Sequence, residues 1–185
     1  DAAEGGRAAS ICKAGDALIA IAASGSTPYT IGAARRASER GASVIAVANN
    51  PNSPLAAWAD VEIFLDSGPE VIIGSTRMGA GTAQKAALNL LSTLTHIKLG
   101  AVHDGMMINV KGGNAKLKAR ACKIVSRIAS VDERNAAAAL ELTKGEIKAA
   151  ILISAGAMSP DNAQQLLKES QGNLRLALSR LALPA

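Results

Sequence analysis

Three hydroxyl side chains stand within four consecutive positions in the loop Ser24-Gly25-Ser26-Thr27-Pro28, between an apolar run and a helix-like segment. Gly25 permits a tight turn, and Pro28 suits the first turn of a helix, where its missing N–H costs nothing. The free backbone N–H groups and the positive end of the helix dipole would then face an anion. Ser24, Ser26 and Thr27 add hydroxyl donors, whereas an ordinary helix cap needs only one of them. The loop therefore predicts a phosphate-binding site.

A second polar loop follows the third apolar run of the chain. It contains Glu70 and then the segment Gly74-Ser75-Thr76-Arg77. Ser75, Thr76 and Arg77 are suited to hydrogen-bond sugar hydroxyls or a carboxylate, and the arginine can do so through two parallel bonds. Glu70 is a candidate general acid or base, and a solvated loop carboxylate is an equally good interpretation. This loop is the second place where we expect ligand contacts.

Three apolar runs and the helical segments between them must position these loops. The runs are typical of strands buried on both faces of a parallel sheet, and they cover 17–22, 43–48 and 61–65. The helical segments are about 27–40, a short stretch around Trp58, and about 79–99. This order predicts an α/β fold, a three-layer αβα doubly wound parallel sheet. Ligands of such sheets bind at the carboxyl ends of the strands, where both polar loops fall.

From about Gly112 onward, the chain shows only helix-compatible segments rich in Ala and Leu. A weak internal repeat covers 130–153 and 159–181, and each unit contains a helix, a Gly turn and a second helix. We expect two helical hairpins that pack together. The alternative is a docking module that resembles the small ubiquitin-associated helical domains. The predicted domains are therefore an α/β domain over 1–110 and a helical subdomain over 111–185.

The formal net charge is +5, and the densest basic run lies in this helical part. Its members are Lys111, Lys116, Lys118, Arg120, Lys123 and Arg127. No aromatic residue stands between them, so the stacking platform of single-stranded nucleic-acid readers is missing. We interpret the run as a solvated helix face and expect no nucleic-acid partner.

The sequence lacks the patterns that are typical of metal sites, disulfide bonds and membrane-spanning segments. Cys12 and Cys122 match neither a Cys-x-x-Cys pair nor a disulfide framework, so we expect reduced thiols. His96 and His103 have no Cys or His cluster around them, so we expect no metal site. No apolar run approaches the ~20 residues that span a bilayer, and the first residues do not resemble a secretory signal. We therefore expect a cytoplasmic protein without membrane association.

Taken together, these motifs resemble the sugar isomerase (SIS) domain, a phosphosugar-binding fold. More closely, they resemble the N-acetylmuramic acid 6-phosphate etherases and the related glucokinase regulatory protein. The resemblance extends from about Ala14 to the C-terminus. It rests on motifs in the same order along the chain, at 21–29, 50–51, 68–70, 74–78, 81–85, 88–89 and 91–93.

The resemblance implies an enzyme of cell-wall sugar recycling. Such an enzyme opens the ring of N-acetylmuramic acid 6-phosphate, removes the proton at C2, expels D-lactate from C3 and adds water, which yields N-acetylglucosamine 6-phosphate. Eliminations of this kind need a general base and a general acid, usually two carboxyl groups with separated pKa values. The resemblance also implies a sugar-phosphate ligand, no metal or organic cofactor, and a homodimer in which two subunits build the site.

Three features depart from the family's pattern. The family usually has a basic residue or His where Ser26 stands, and Lys where Gly79 stands. Its two acid/base glutamates lie in an N-terminal half that this chain does not contain, and Glu4 lies too close to the first strand to replace them. We therefore expect an N-terminally truncated chain in which Glu70 is the one catalytic candidate. A sheet of three strands would also leave apolar faces uncovered.

Two other functions are compatible with the same loops. A non-catalytic phosphosugar sensor or regulatory subunit would bind the ligand and change its affinity for a partner. An aldose–ketose isomerase on the same fold would need only proton transfer between neighbouring carbons. Release of D-lactate from N-acetylmuramic acid 6-phosphate separates the etherase from both.

Overall fold

A three-stranded parallel sheet lies at the centre of the first half of the chain. The computed structural model describes residues 1–110 and 114–181. Its strands are β1 (Ala17–Ile21), β2 (Ser43–Ala48) and β3 (Val61–Phe64), in the order β1-β2-β3. Each apolar run forms a strand, because Ile, Val and Ala pack well on a pleated surface that is buried on at least one side. The α/β class and the parallel sheet are therefore confirmed.

Helices α1 (Ala2–Ala8) and α2 (Pro28–Glu39) pack together beside this sheet, and α3 (Gly79–Lys98) follows β3. The contact between α1 and α2 is close, since a Cβ at Gly5 would overlap the carbonyl of Tyr29. Helix α1 is absent from the sequence prediction because it is short and rich in Gly. Asp1 nevertheless caps it, accepting a hydrogen bond from the backbone N–H of Glu4 at 2.7 Å.

One face of the sheet is covered and the other is partly open. Ala20, Val44 and Ala46 are buried in one apolar cluster with residues of α2. On the opposite face the register brings Ile and Val side chains side by side, at Ile19, Ile21, Ile45, Val47, Val61 and Ile63. Ile19 is 41% exposed, Ile21 36% and Val61 52%. Val47 on the central strand is only 1% exposed, so this face is open at β1 and at Val61 and covered at its centre, and the uncovered face expected for three strands is present only in part.

The second half of the chain is mostly helical, as predicted. Its helices are α4 (Ala115–Ala129), α5 (Glu133–Leu142), α6 (Ile147–Ser154), α7 (Pro160–Glu169) and α8 (Leu174–Leu181). A short antiparallel pair, β4 (Val102–His103) and β5 (Met106–Met107), precedes them and is absent from the sequence prediction. None of the helices in 1–110 and 114–181 is long and apolar enough to cross a membrane.

The chain divides into two compact units, a first unit, Asp1–Leu90, and a second unit, Leu91–Ala185. The division falls inside α3, whereas the domain boundary between 110 and 111 remains a prediction from the sequence. Lys111 and Gly112, where the change in pattern was expected to begin, lie outside the described residues.

Candidate functional site

A cavity of about 330 Å³ lies where the three strands of the sheet end. Ser24 follows β1, Asn49 and Asn50 follow β2, and Ser67 follows β3. The loop 66–78 supplies most of the remaining wall. We call this space the Ser24 cavity. It occupies the carboxyl edge of the sheet, where ligands of parallel α/β sheets bind.

Half of the predicted binding residues line this cavity. The residues that do so are Ser24, Glu70, Ser75 and Thr76. The residues that lie beside them in the chain but outside the lining are Gly25, Ser26, Thr27 and Arg77. The structure therefore brings the two polar loops together at one edge of the sheet, as the order of strands and helices predicts.

The hydroxyl of Ser24 is the centre of the first loop. Its Oγ accepts hydrogen bonds from the backbone N–H of Ser26 at 3.2 Å and from the Ser26 hydroxyl at 2.9 Å. The hydroxyl hydrogen of Ser24 is therefore free to point toward an anion in the cavity. Ser26 does not line the cavity, and its two hydrogen bonds orient the Ser24 hydroxyl.

Helix α2 begins with unused hydrogen-bond donors. Thr27 occupies the N-cap position without a side-chain cap bond, and Pro28 is the first helical residue. The first bonded amide of the helix is that of Ile31, which donates to the carbonyl of Thr27 at 3.0 Å. Among the described residues, the backbone N–H groups of Tyr29 and Thr30 have no acceptor. These amides and the helix dipole form the kind of site that binds phosphate.

Gly25 is required by the way this loop packs. Its φ is +65°, and an added Cβ would overlap the side chain of Ser53. Its carbonyl accepts a hydrogen bond from the backbone N–H of Leu55 at 3.0 Å, which holds the loop against the segment after β2. Ser53 is only 6% exposed, and its hydroxyl has no hydrogen-bond partner among the described residues.

Glu70 is held at the beginning of α3. Its carboxylate accepts the backbone N–H of Gly79 at 3.0 and 3.1 Å and that of Ala80 at 3.0 Å. The hydrogen bonds from Ala80 and Gly79 keep the pKa of Glu70 below its ordinary value of 4.5. A carboxylate bound in this way is stable as the anion and is a poor proton donor at neutral pH. The lowered pKa also makes Glu70 a weaker base than a free carboxylate.

Ser75 and Thr76 face the cavity from the second loop, while Arg77 does not line it. Ser75 Oγ accepts the backbone N–H of Arg77 at 3.3 Å, and its own N–H donates to the carbonyl of Ile72 at 3.0 Å. These bonds shape the loop locally. They leave the hydroxyls of Ser75 and Thr76 as the polar groups that the loop offers to a ligand.

Asn49 connects the ends of all three strands and is missing from the predicted site. Its Nδ2 donates to the carbonyl of Leu65 at 3.0 Å and to Ser67 Oγ at 3.3 Å, and its backbone N–H donates to the carbonyl of Ala23 at 2.9 Å. Its Oδ1 accepts from Gln84 Nε2 at 2.8 Å. The available signal was its position directly after β2, at the same edge of the sheet as Ser24.

The lining as a whole offers neutral donors and acceptors. Glu70 is the one ionisable side chain among the residues that line the Ser24 cavity. Hydroxyl and amide groups suit the hydroxyls of a sugar. The free N–H groups at the start of α2, which suit a phosphate, belong to residues outside this lining. In the described part of the chain, no group of three or more His, Cys, Asp and Glu is placed to hold a metal ion.

Comparison with known families identifies the first half of the chain. Residues 1–94 match the SIS domain. The chain belongs to the SIS domain family. The N-acetylmuramic acid 6-phosphate etherase of Streptomyces avermitilis is 45% identical over 166 residues, which cover 90% of this chain and 53% of that protein. The etherase of Yersinia pestis is 47% identical over 163 residues, which cover 88% of this chain and 55% of that protein.

These identities confirm the resemblance inferred from the motifs of the SIS domain and its helical continuation. The chain spans about half the length of the curated relatives it matches. Among solved structures, the Vibrio vulnificus NanR protein complexed with ManNAc-6P matches 53% of this chain and 39% of its own, with 26% identity and a TM-score of 0.41.

Proposed function

We propose that this SIS domain binds an amino-sugar 6-phosphate in the Ser24 cavity. The observation that carries the proposal is the 45–47% identity to N-acetylmuramic acid 6-phosphate etherases over about nine tenths of the chain. The chemistry of the cavity supports it. The Ser24 hydroxyl and the start of α2 provide donors for the phosphate, and Asn49, Ser75 and Thr76 provide neutral partners for the sugar.

We also propose that the whole protein cleaves the lactyl ether of N-acetylmuramic acid 6-phosphate to N-acetylglucosamine 6-phosphate and D-lactate. In this scheme the residues of this chain bind and orient the substrate. Glu70 positions the second loop through its bonds to Gly79 and Ala80 and does not transfer the proton. The general acid and base come from the part of the relatives' length that this chain does not span.

The test is the release of D-lactate by the full-length protein from N-acetylmuramic acid 6-phosphate, measured with D-lactate dehydrogenase. We expect equal amounts of D-lactate and N-acetylglucosamine 6-phosphate, because one ether bond yields one molecule of each. Binding of 6-phosphosugars without lactate release would reject the etherase and leave phosphosugar binding intact.

A non-catalytic phosphosugar sensor is the second candidate. It is favoured by the environment of Glu70, the one carboxylate that lines the cavity, because backbone donors already hold it as an anion. A sensor would bind the phosphosugar and change its affinity for a protein partner. It predicts full ligand binding with neither lactate release nor isomerisation to a ketose phosphate.

We further propose that the protein is a cytoplasmic homodimer, as the resemblance implies. The open face with Ile19, Ile21 and Val61 supports an additional protein surface on the sheet, since apolar patches of this kind are usually covered. Light scattering after size-exclusion chromatography tests the dimer, because one chain has a mass of 18.7 kDa. A concentration-independent monomer would reject it. Cell fractionation tests the location.

A further inference from the structure

Helix α4 of the second unit carries a row of cationic side chains on one side. Lys116, Arg120, Lys123 and Arg127 are spaced by four, three and four residues. This spacing places them along one helical face, over about 16 Å at a rise of about 1.5 Å per residue. From the sequence alone, the run is expected to be a solvated surface. The structure adds a shallow, open depression beside it.

A cavity of about 440 Å³ lies along this face. We call it the α4 cavity. The four cationic side chains line it together with Met106 of β5 and Ile124 of α4. Ile124 is 7% exposed and belongs to the apolar core of the helical unit, whereas the four cationic residues are exposed. The site thus combines an apolar floor with a cationic rim, and its volume lies within the range of small-molecule sites, about 300–1,000 Å³.

The four charges are not neutralised by the described part of the protein. No Asp or Glu among the described residues forms an ion pair with any of them. Ion pairs among the described residues of this unit include those of Arg175 with Asp104 and of Arg180 with Glu169. Like charges at spacings of three and four residues repel one another on a helix. A bound anion would relieve this repulsion.

We propose that the α4 cavity binds a soluble small molecule that carries at least two adjacent phosphate groups. Arg120 and Arg127 present planar guanidinium groups that match phosphate oxygens through paired hydrogen bonds, and Lys116 and Lys123 add mobile positive charges. A single carboxylate would balance only one of the four cations. The apolar floor at Met106 and Ile124 receives the carbon skeleton of the ligand.

The surroundings favour a compact oligophosphate over a nucleic acid. The aromatic residues of the chain are Tyr29, Trp58 and Phe64, and all three lie in the first unit. The α4 cavity therefore has no aromatic surface on which bases could stack.

Isothermal titration of inorganic pyrophosphate into the 185-residue chain at low salt tests the proposal. We expect saturable binding with one site per chain. Arg120→Gln removes one guanidinium group and its paired hydrogen bonds to phosphate, and it should weaken the affinity about tenfold. Lys118→Gln is the matched control, because it removes one positive charge from the same helix at a residue that lines a different cavity. It should change the affinity by less than about twofold. Circular dichroism establishes that both variants keep their helices.

Three outcomes would overturn the proposal. The first is the absence of binding at millimolar pyrophosphate. The second is an equal loss of affinity in both variants, which would mean that only the overall charge of α4 matters. The third is tighter binding of single-stranded DNA or of phosphatidylserine vesicles than of pyrophosphate, which would identify a different class of partner. The comparison of Arg120→Gln with Lys118→Gln separates this site from the proposed phosphate site in the Ser24 cavity, because the two cavities share no lining residue.

Discussion

The carboxylate of Glu70 accepts a hydrogen bond at 3.0 Å from the backbone N–H of Ala80, ten residues further along the chain. With the bonds from Gly79, this contact closes the loop between β3 and α3 and satisfies the first free donors of the helix. A negative charge at this end also complements the helix dipole. The negatively charged Glu70 carboxylate therefore holds the loop that supplies Ser75 and Thr76 to the Ser24 cavity against the beginning of α3.

Removing that charge should loosen the beginning of α3. In Glu70→Gln, we expect the backbone N–H groups of Gly79 and Ala80 to exchange with solvent several-fold faster, because they lose a charged acceptor. Hydrogen exchange followed by NMR measures this. Asp132→Asn is the control, since Asp132 caps α5 by accepting from the N–H of Asn135, and its effect should stay in α5. Unchanged exchange at Gly79 and Ala80 would contradict the capping role.

Acid should weaken the same contact in a defined direction. The folded pKa of Glu70 lies below its ordinary value of 4.5, so the contribution to stability is complete above that value. It is lost as the pH falls through the lower, folded pKa, because the unfolded chain then binds the proton more readily. Thermal unfolding from neutral to acidic pH should show the difference between wild type and Glu70→Gln shrinking as the pH falls below 4.5 and through the lower, folded pKa. A difference that persists in acid would show that the variant is destabilised by another cause.

Gly25→Ala should destabilise the first unit more than an ordinary turn substitution. The alanine would have to adopt a φ of +65°, and its Cβ would overlap the side chain of Ser53. Overpacking of this kind costs about 1–3 kcal/mol beyond the backbone strain. Gly15→Ala is the control, because Gly15 also has a positive φ, +91°, but has nothing within 4 Å. The free energy of unfolding in urea measures both changes, and Ser53→Gly should rescue part of the loss at Gly25. Equal costs at both glycines would exclude the steric explanation.

Asn49→Ala should destabilise the sheet edge and reduce ligand binding. It leaves the carbonyl of Leu65 and the amide of Gln84 without their present partner, which costs about 1–3 kcal/mol when such groups are buried. Asn50→Ala is the matched control, since Asn50 lines the same cavity and has no side-chain hydrogen bond among the described residues. Urea unfolding should separate the two variants. The same stability in both would show that the bonds of Asn49 are replaced by water.

Ser24→Ala combined with Thr27→Ala should weaken binding of N-acetylglucosamine 6-phosphate at least tenfold. Hydrogen bonds to a charged group contribute about 1.5–3 kcal/mol each, and about 1.4 kcal/mol corresponds to a factor of ten. The two single variants separate the contributions, because Ser24 lines the cavity whereas Thr27 occupies the N-cap position of α2 without a side-chain cap bond. Ser10→Ala, which removes a hydroxyl bonded to the carbonyl of Gly6 outside the cavity, is the control. Unchanged affinity by calorimetry would exclude this loop as the phosphate site.

Local patterns predicted the elements that carry the site. The runs at 17–22, 43–48 and 61–65 became strands within one residue of their expected ends, because continuous Ile, Val and Ala residues leave few other ways to bury their surface. The shorter elements were missed. Helix α1 depends on its packing against α2, and the pair β4 and β5 is two residues long on each side, so neither produces a periodic pattern of its own.

Sequence alone determined that Ser24, Ser75 and Thr76 would meet, because parallel strands direct their carboxyl ends to one edge of a sheet. Only the tertiary structure decided what the other polar groups do. Glu70 became a helix cap because its loop folds back by ten residues, and Asn49 became a connector because three strand ends converge on it. Such roles depend on contacts between distant residues, and residue type and spacing do not specify those contacts. The cavity that turns the basic face of α4 into a candidate site has the same origin, since Met106 reaches it from another element.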